Sequence, residues 1–146
     1  MAMMKYVTGF LFSEDYQSVV LISKLSPSWQ AGLLNGVGGK IEQGESEKQA
    51  MSREFMEETG VSIDQDQWIN FAVIERPSQY SVHFFSAKSH LFSSVKSIEK
   101  EKVDIFLVTK LPDNIIHNLR WLIPLASDPE LQLNTPVTIY ERTGER

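Results

Sequence analysis

Glu54, Glu57 and Glu58, with Arg53 beside them, are the residues of this 146-residue chain best suited by type and spacing to do chemistry. They lie in a proline-free run, residues 44–59, dominated by Ala, Met, Gln, Lys and Glu. That composition predicts a helix starting at Glu45 or Ser46 and stopped by Gly60. At about 100° per residue the three carboxylates share one arc of about 100° with the small Ala50. Like charges at these spacings repel by roughly 0.2–0.5 kcal/mol per pair, a penalty that a bound cation removes. Arg53, four residues before Glu57, can brace a carboxylate in a fixed orientation. Ser52, Phe55, Met56 and Thr59 fall on other sides of the helix, free to pack.

Just upstream, Gly36, Gly38 and Gly39 read as a loop whose backbone can approach a phosphate or a metal closely, with Lys40 as an adjacent cation. Alone, such a loop is a weak signal and matches neither the Walker pattern nor the dinucleotide fingerprint. A solvated acidic helix face with ordinary i,i+4 pairs would equally explain the glutamates alone. Together, loop and helix describe a metal site built from oxygen ligands next to a phosphate-approaching backbone.

The spacing then carries a family resemblance. Gly39 is followed by five residues to Glu45, then seven to Arg53, Glu54, Phe55, Met56, Glu57, Glu58, Thr59, Gly60 and Val61. Residues 39–61 therefore resemble the Nudix box, the signature of the Nudix hydrolases, with every fixed position filled and one departure: Phe55 stands where the family usually has an aliphatic residue. The resemblance implies an α/β (α+β) Nudix fold, a mixed β-sheet sandwiched between helices, as one domain over residues 1–146. It implies hydrolysis of a diphosphate linkage in a nucleoside diphosphate derivative, with Mg2+, or Mn2+ as a substitute.

By that resemblance Glu57 and Glu58 are metal ligands, helped by the Gly38 carbonyl. Glu54 binds a further ion or takes the proton from water, and Arg53 orients the glutamates. Lys40 and Gly39 meet a phosphate. Glu45 is structural, its charge facing the helix macrodipole. Family members often draw one more acidic ligand from a late loop, for which Glu99 and Glu101 are candidates, Glu101 preferred because it is nearer a strand. This chemistry suits the charges involved, since in-line attack on a pyrophosphate needs its negative charge neutralised first.

The elements that must position these residues follow from patterning. Residues 6–12 and 19–22 read as neighbouring strands joined by a polar turn. Residues 26–35 read as a loop, in which Trp29 either anchors the segment to the core or stacks on a base. Two central strands are expected at 68–74 and 81–87, with His83 a packed or edge residue. Residues 93–102 are charged and irregular, 103–108 strongly β-prone. A second helix is expected over 113–126, shortened or kinked by Pro124. A last edge strand follows at 136–140, and the final residues are expected to fray.

Composition narrows the partners. A net charge of −5 provides no field for an extended nucleic acid, though a short phosphorylated ligand remains compatible if a divalent ion offsets repulsion. The absence of cysteine excludes disulfides and thiolate chemistry and fits a reducing compartment. The apolar run at residues 1–12 is too short for a signal peptide or a membrane span, so a cytoplasmic protein, monomer or homodimer, is expected.

For the substrate, a nucleoside triphosphate is slightly favoured over ADP-ribose or another dinucleotide or sugar nucleotide. Pro77, sixteen residues past Val61, resembles a spacing of ADP-ribose-cleaving members. Trp29 and Tyr80 are candidates to stack on a base, whereas Phe84 and Phe85 are expected in the core. A Nudix-like nucleotide sensor without catalysis is the alternative of another class; the intact glutamate set argues against it.

Overall fold

Along the first strand, side chains alternate between two separate cores, one on each face of a mixed sheet. The computed structural model describes residues 3–133 and 135–142. In chain order the strands are β1 (Met4–Phe12), β2 (Ser18–Ser23), β3 (Leu34–Asn35), β4 (Val37–Lys40), β5 (Ile69–Arg76), β6 (Tyr80–Lys88), β7 (Val103–Leu107) and β8 (Val137–Tyr140). Helix α1 (Glu47–Thr59) follows β4 and helix α2 (Leu119–Ser127) follows β7. The strand order is β3-β2-β1-β6-β5-β8, with β4 also paired to β1 and β7 to β2. The β1–β6 and β5–β8 pairs are parallel and the rest antiparallel, so β5 and β6 lie in the interior of the sheet, as their apolar content predicts.

Period-2 alternation explains the two layers. Val7 and Leu11 of β1 pack with Val20 and Ile22 of β2 against Ala50, Met51 and Phe55 of α1. Phe10 and Phe12 pack with Val19 and Leu21 against Leu119, Leu122 and Ile123 of α2. Each such burial contributes about 1.5–3 kcal/mol. The sheet is thus held between helices, an α+β arrangement.

Helix α1 starts where its composition predicts. Ser46 is the N-cap, its hydroxyl accepting from Gln49 N while the Gln49 side chain accepts from Ser46 N, and the helix stops at Gly60 with φ 75°. Of the residues expected to pack, Phe55 and Thr59 are fully buried, but Met56 points outward, 49% exposed.

Three expectations are corrected. The glycine stretch is not a loop. Residues 37–40 form β4, paired with Tyr6–Gly9 of β1, and a Cβ at Gly38 would run into the Val7 carbonyl oxygen. Glycine here serves the close approach of two backbones. The second helix begins at Leu119 and not near 113, because the backbone at 114–116 is taken by β3. Leu34 N donates to Asn114 O at 2.8 Å and Ile116 N to Leu34 O at 2.9 Å. Pro124 sits inside α2 without ending it, giving up one hydrogen bond to the carbonyl of Arg120, an exposed residue. The fraying expected of the final residues concerns 143–146, outside the described residues.

Candidate active site

Arg53 organises the acidic face of α1. Its Nε and Nη2 reach the two oxygens of Glu45 at 2.6 and 2.9 Å, its Nη1 reaches Glu54 at 2.9 Å and Glu57 at 3.3 Å, and Nη2 also donates to the Lys40 carbonyl at 3.1 Å. One guanidinium therefore ties the helix to the end of β4 and contacts three of its neighbouring glutamates. These partners, Glu45 foremost, raise the guanidinium's already high pKa.

Glu45 lies at the N-terminal end of α1 and is anchored there by hydrogen bonds. It precedes the N-cap and is held by Arg53 and the Glu42 N–H, and the Arg53 hydrogen bonds keep its carboxyl below the usual range.

The other glutamates occupy distinct environments. Glu54 lies over Gly39: a Cβ there would stand 2.5 Å from the Glu54 carboxylate. Burial raises the Glu54 pKa against the pull of Arg53, and Glu57 and Glu99 raise it further. Glu57 is half-exposed and meets only the fringe of Arg53. Glu58 is buried, and its Oε2 has no hydrogen-bond partner. Burial, then the Glu54 charge, push the Glu58 carboxyl up to about 8, with Glu101 and Glu99 adding and Lys24 opposing.

A buried, unpartnered oxygen ringed by carboxylates is poorly satisfied by the protein alone. It is the environment in which a hard divalent cation replaces both the missing hydrogen bond and the missing positive charge. Among the described residues no three Asp, Glu or His side chains are already gathered as an ion-holding cluster. Arg53 holds Glu54 and Glu57 at its guanidinium.

Between the two late-loop candidates the structure draws a contrast. Glu101 is engaged: Oε1 accepts from Lys24 Nζ at 2.9 Å and Oε2 from Leu25 N at 2.6 Å. Burial opposes its ionisation, but these donors outweigh it and hold its pKa below the usual range. Glu99 is exposed, and its charge acts on both Glu54 and Glu58. The segment carrying them lies against the end of α1, with Lys96 N donating to Thr59 O.

On the α2 face of the sheet a cleft of about 730 Å³ opens beside Gly38 and Gly39. Tyr6, Thr8, Val82 and Phe84 form its floor, while Lys24, Pro27 and Trp29 stand on one side and Asn118, Tyr80 and Glu141 also line it. Trp29 is not an anchor: it is 67% exposed at the cleft. Its loop needs no such pin, being closed by Gln30 N to Pro27 O, Gly32 N to Lys24 O and Lys24 N to Leu33 O, each 2.9 Å. Tyr80 also borders the cleft, with its hydroxyl bonded to Glu141 at 2.7 Å. Lys40 is exposed at the end of β4 and does not line the cleft. His83 packs beside Asn70 at 3.1 Å, the packed position expected of it, and burial lowers its pKa. Phe85 is core, and Phe84, nearly as buried, is both core and cleft floor.

Lys24, Asn35, Asn118 and Glu141 escaped the sequence reading although all four line the cleft. Each is a lone polar residue at the end of an element, and only sheet pairing brings them together. Asn118 Oδ1, in the cleft wall, is buried without a partner.

The profile of the NUDIX domain matches residues 4–126. The chain belongs to the NUDIX family. Among its relatives, a Mus musculus protein named oxidized purine nucleoside triphosphate hydrolase is 31% identical over 96 residues, 64% of this chain and 61% of that one. A Danio rerio protein of the same name is 32% identical over 96 residues, with the same coverage. The matched segment thus spans about three-fifths of these relatives' length.

The NUDIX fold is shared with solved structures. A MutT NUDIX hydrolase from Burkholderia pseudomallei superposes with a TM-score of 0.70 at 17% identity, covering 86% of this chain and 98% of that one. A NUDIX hydrolase from Nitrosomonas europaea gives 0.68 at 18%, covering 97% and 81%. No helix among the described residues is long and apolar enough to cross a membrane.

Proposed function

We propose that this NUDIX domain hydrolyses a nucleoside triphosphate to the monophosphate and pyrophosphate, with an oxidised purine nucleotide the leading candidate from the names of its mouse and zebrafish relatives. Two observations carry the reading together: an unsatisfied carboxylate, Glu58, on α1, and a nucleoside-sized cleft beside Gly38 and Gly39 whose wall holds Lys24, the cation that acts on Glu58.

Glu57, Glu58 and Glu54, with the Gly38 carbonyl, would hold Mg2+, or Mn2+ in its place, and Glu99 would complete the set more readily than Glu101, whose oxygens Lys24 and Leu25 occupy. Such an ion, when bound, neutralises the polyphosphate and acidifies water. Arg53 holds Glu54 and Glu57 in register. Glu54, over Gly39, takes the proton from the attacking water as the bond between the α and β phosphates breaks. Trp29 stacks on the base at the cleft mouth and the Asn118 amide oxygen accepts from a base N–H. Lys24 and Lys40 screen phosphate charge. The cysteine-free composition suits a reducing cytoplasm.

The ADP-ribose alternative loses its one sequence cue. Pro77 sits in the β5–β6 hairpin turn, where Gln79 N closes on Arg76 O at 3.0 Å, and it does not line the cleft. Phosphorus NMR of products from a panel of triphosphates, sugar nucleotides and ADP-ribose, with Mg2+ or Mn2+, decides between them. Pyrophosphate released from a triphosphate supports the proposal. Cleavage confined to ADP-ribose or sugar nucleotides contradicts it.

A further inference from the structure

The C-terminal strand delivers a carboxylate to the cleft that none of the box chemistry uses. β8 runs parallel to β5, pairing Tyr140 with Glu75, and Glu141 N donates to Glu75 O at 2.9 Å, which fixes the backbone there. The Glu141 side chain, 37% exposed, lines the cleft together with Tyr80. The Tyr80 hydroxyl lies 2.7 Å from both Glu141 oxygens, and Arg76 Nη1 is 3.5 Å from Oε2. The phenol has one proton to give, and burial, then the Glu141 carboxylate, push the Tyr80 pKa up to about 12, so it stays a donor. A carboxylate offers about four acceptor positions. Tyr80 spans both oxygens and Arg76 reaches Oε2, which orients the group and leaves Oε1 the more open acceptor for a ligand, with no donor.

We propose that Glu141, oriented by Tyr80, is a specificity residue that selects a guanine-type base by accepting two adjacent N–H donors, N1–H and N2–H, from its Watson–Crick edge. This rests on the nucleoside triphosphate reading above. Adenine presents N6–H beside an acceptor nitrogen at N1, and cytosine likewise pairs one donor with one acceptor. Uracil and thymine present a single N–H between two carbonyls. Each of these sets at least one lone pair against the carboxylate, and an unmet or repelled polar edge is the strong form of discrimination. The apolar floor of Thr8 methyl, Val82 and Phe84 supports any base equally. The choice among bases therefore falls to the polar wall.

The test is kcat/KM for GTP and ATP with wild type and Glu141→Gln. An amide presents one acceptor and one donor, the complement of adenine. Wild type is expected to prefer GTP by about 10- to 100-fold, and the variant to bring the ratio to about 1 or below. A ratio left unchanged, or an equal loss with both nucleotides, overturns the proposal and reduces Glu141 to a tether for β8. If Glu141→Gln does not fold, Tyr80→Phe, which removes the orienting proton, is expected to lower the same ratio, and no change there overturns it equally. Failure of the triphosphate reading is distinguishable, because wild type would then cleave no triphosphate, whether GTP, ATP or their oxidised forms. Equilibrium binding of GMP against AMP, to wild type and variant, would still read the base preference.

Discussion

Glu54 occupies the space that a side chain at residue 39 would fill, its carboxylate 2.5 Å from where a Gly39 Cβ would stand. Gly39→Ala must therefore displace the Glu54 carboxylate, since the other side of residue 39 is strand backbone paired with Val7. A displacement of about 1 Å at a reacting group costs roughly 100-fold in rate. We expect kcat to fall by that order with a small change in KM. Circular dichroism should show a folded protein. A variant with normal kcat would remove Glu54 from the reaction.

Arg53 serves three glutamates and a strand carbonyl at once, so a lysine cannot replace it. Arg53→Lys is expected to lose about 1–2 kcal/mol of stability, a modest figure because the network is partly solvated. It is also expected to reduce kcat more than Arg53's distance from a substrate would suggest. Urea unfolding and steady-state kinetics, run on the same preparation, check both.

Glu58 links stability to pH in the metal-free protein. Its pKa is raised by burial to about 8 in the fold, against an unfolded value near 4.5, so the folded state holds the extra proton. Its contribution to stability is then fully present below about pH 4.5 and is lost as pH rises through about 8. Glu54 is shifted the same way. His83, whose pKa is lowered, acts in the opposite sense, but only as pH falls below its ordinary value of 6.5. Between pH 6.5 and 8, in chelator, the melting temperature should fall with rising pH. Glu58→Gln should flatten the slope, and Mg2+ should stabilise most at the alkaline end, where it competes with fewer protons. A melting temperature that rises across this window would contradict the burial of Glu58.

Phe55, the aromatic in an aliphatic position of the box, is fully buried and meets Trp68 edge-on with ring centroids 5.4 Å apart. Phe55→Leu should cost about 1 kcal/mol, the loss of that edge contact plus an imperfect refill. kcat/KM should barely move, since the Phe55 side chain is fully buried in the core against Trp68 and leucine keeps that site apolar.

What the sequence made legible was local. Glu54, Glu57 and Glu58 could be placed on one arc because helical periodicity is fixed by backbone geometry, and Arg53 as a brace because i,i+4 neighbours touch. Residues 37–40 were misread because glycines carry no side-chain pattern, so a strand made of them is recognised only by its partner, β1. The 113–118 segment was misread because apolar spacing cannot report that its backbone hydrogen bonds go to Leu34. Glu141 was invisible for the same reason at longer range. It reaches the cleft through a parallel pairing with a strand that ends at Arg76, and no local signal encodes such a contact.

The central claim is that the box carboxylates, with a divalent cation, make this NUDIX domain a hydrolase of nucleoside triphosphates. The most direct measurement is pyrophosphate release from a triphosphate with Mg2+ by wild type, Glu57→Gln and Glu58→Gln, alongside nucleotide binding by each. We predict turnover by wild type and a loss of at least about 100-fold in both variants, with folding retained. Tight nucleotide binding by wild type without release of pyrophosphate, or variants as active as wild type, would contradict it.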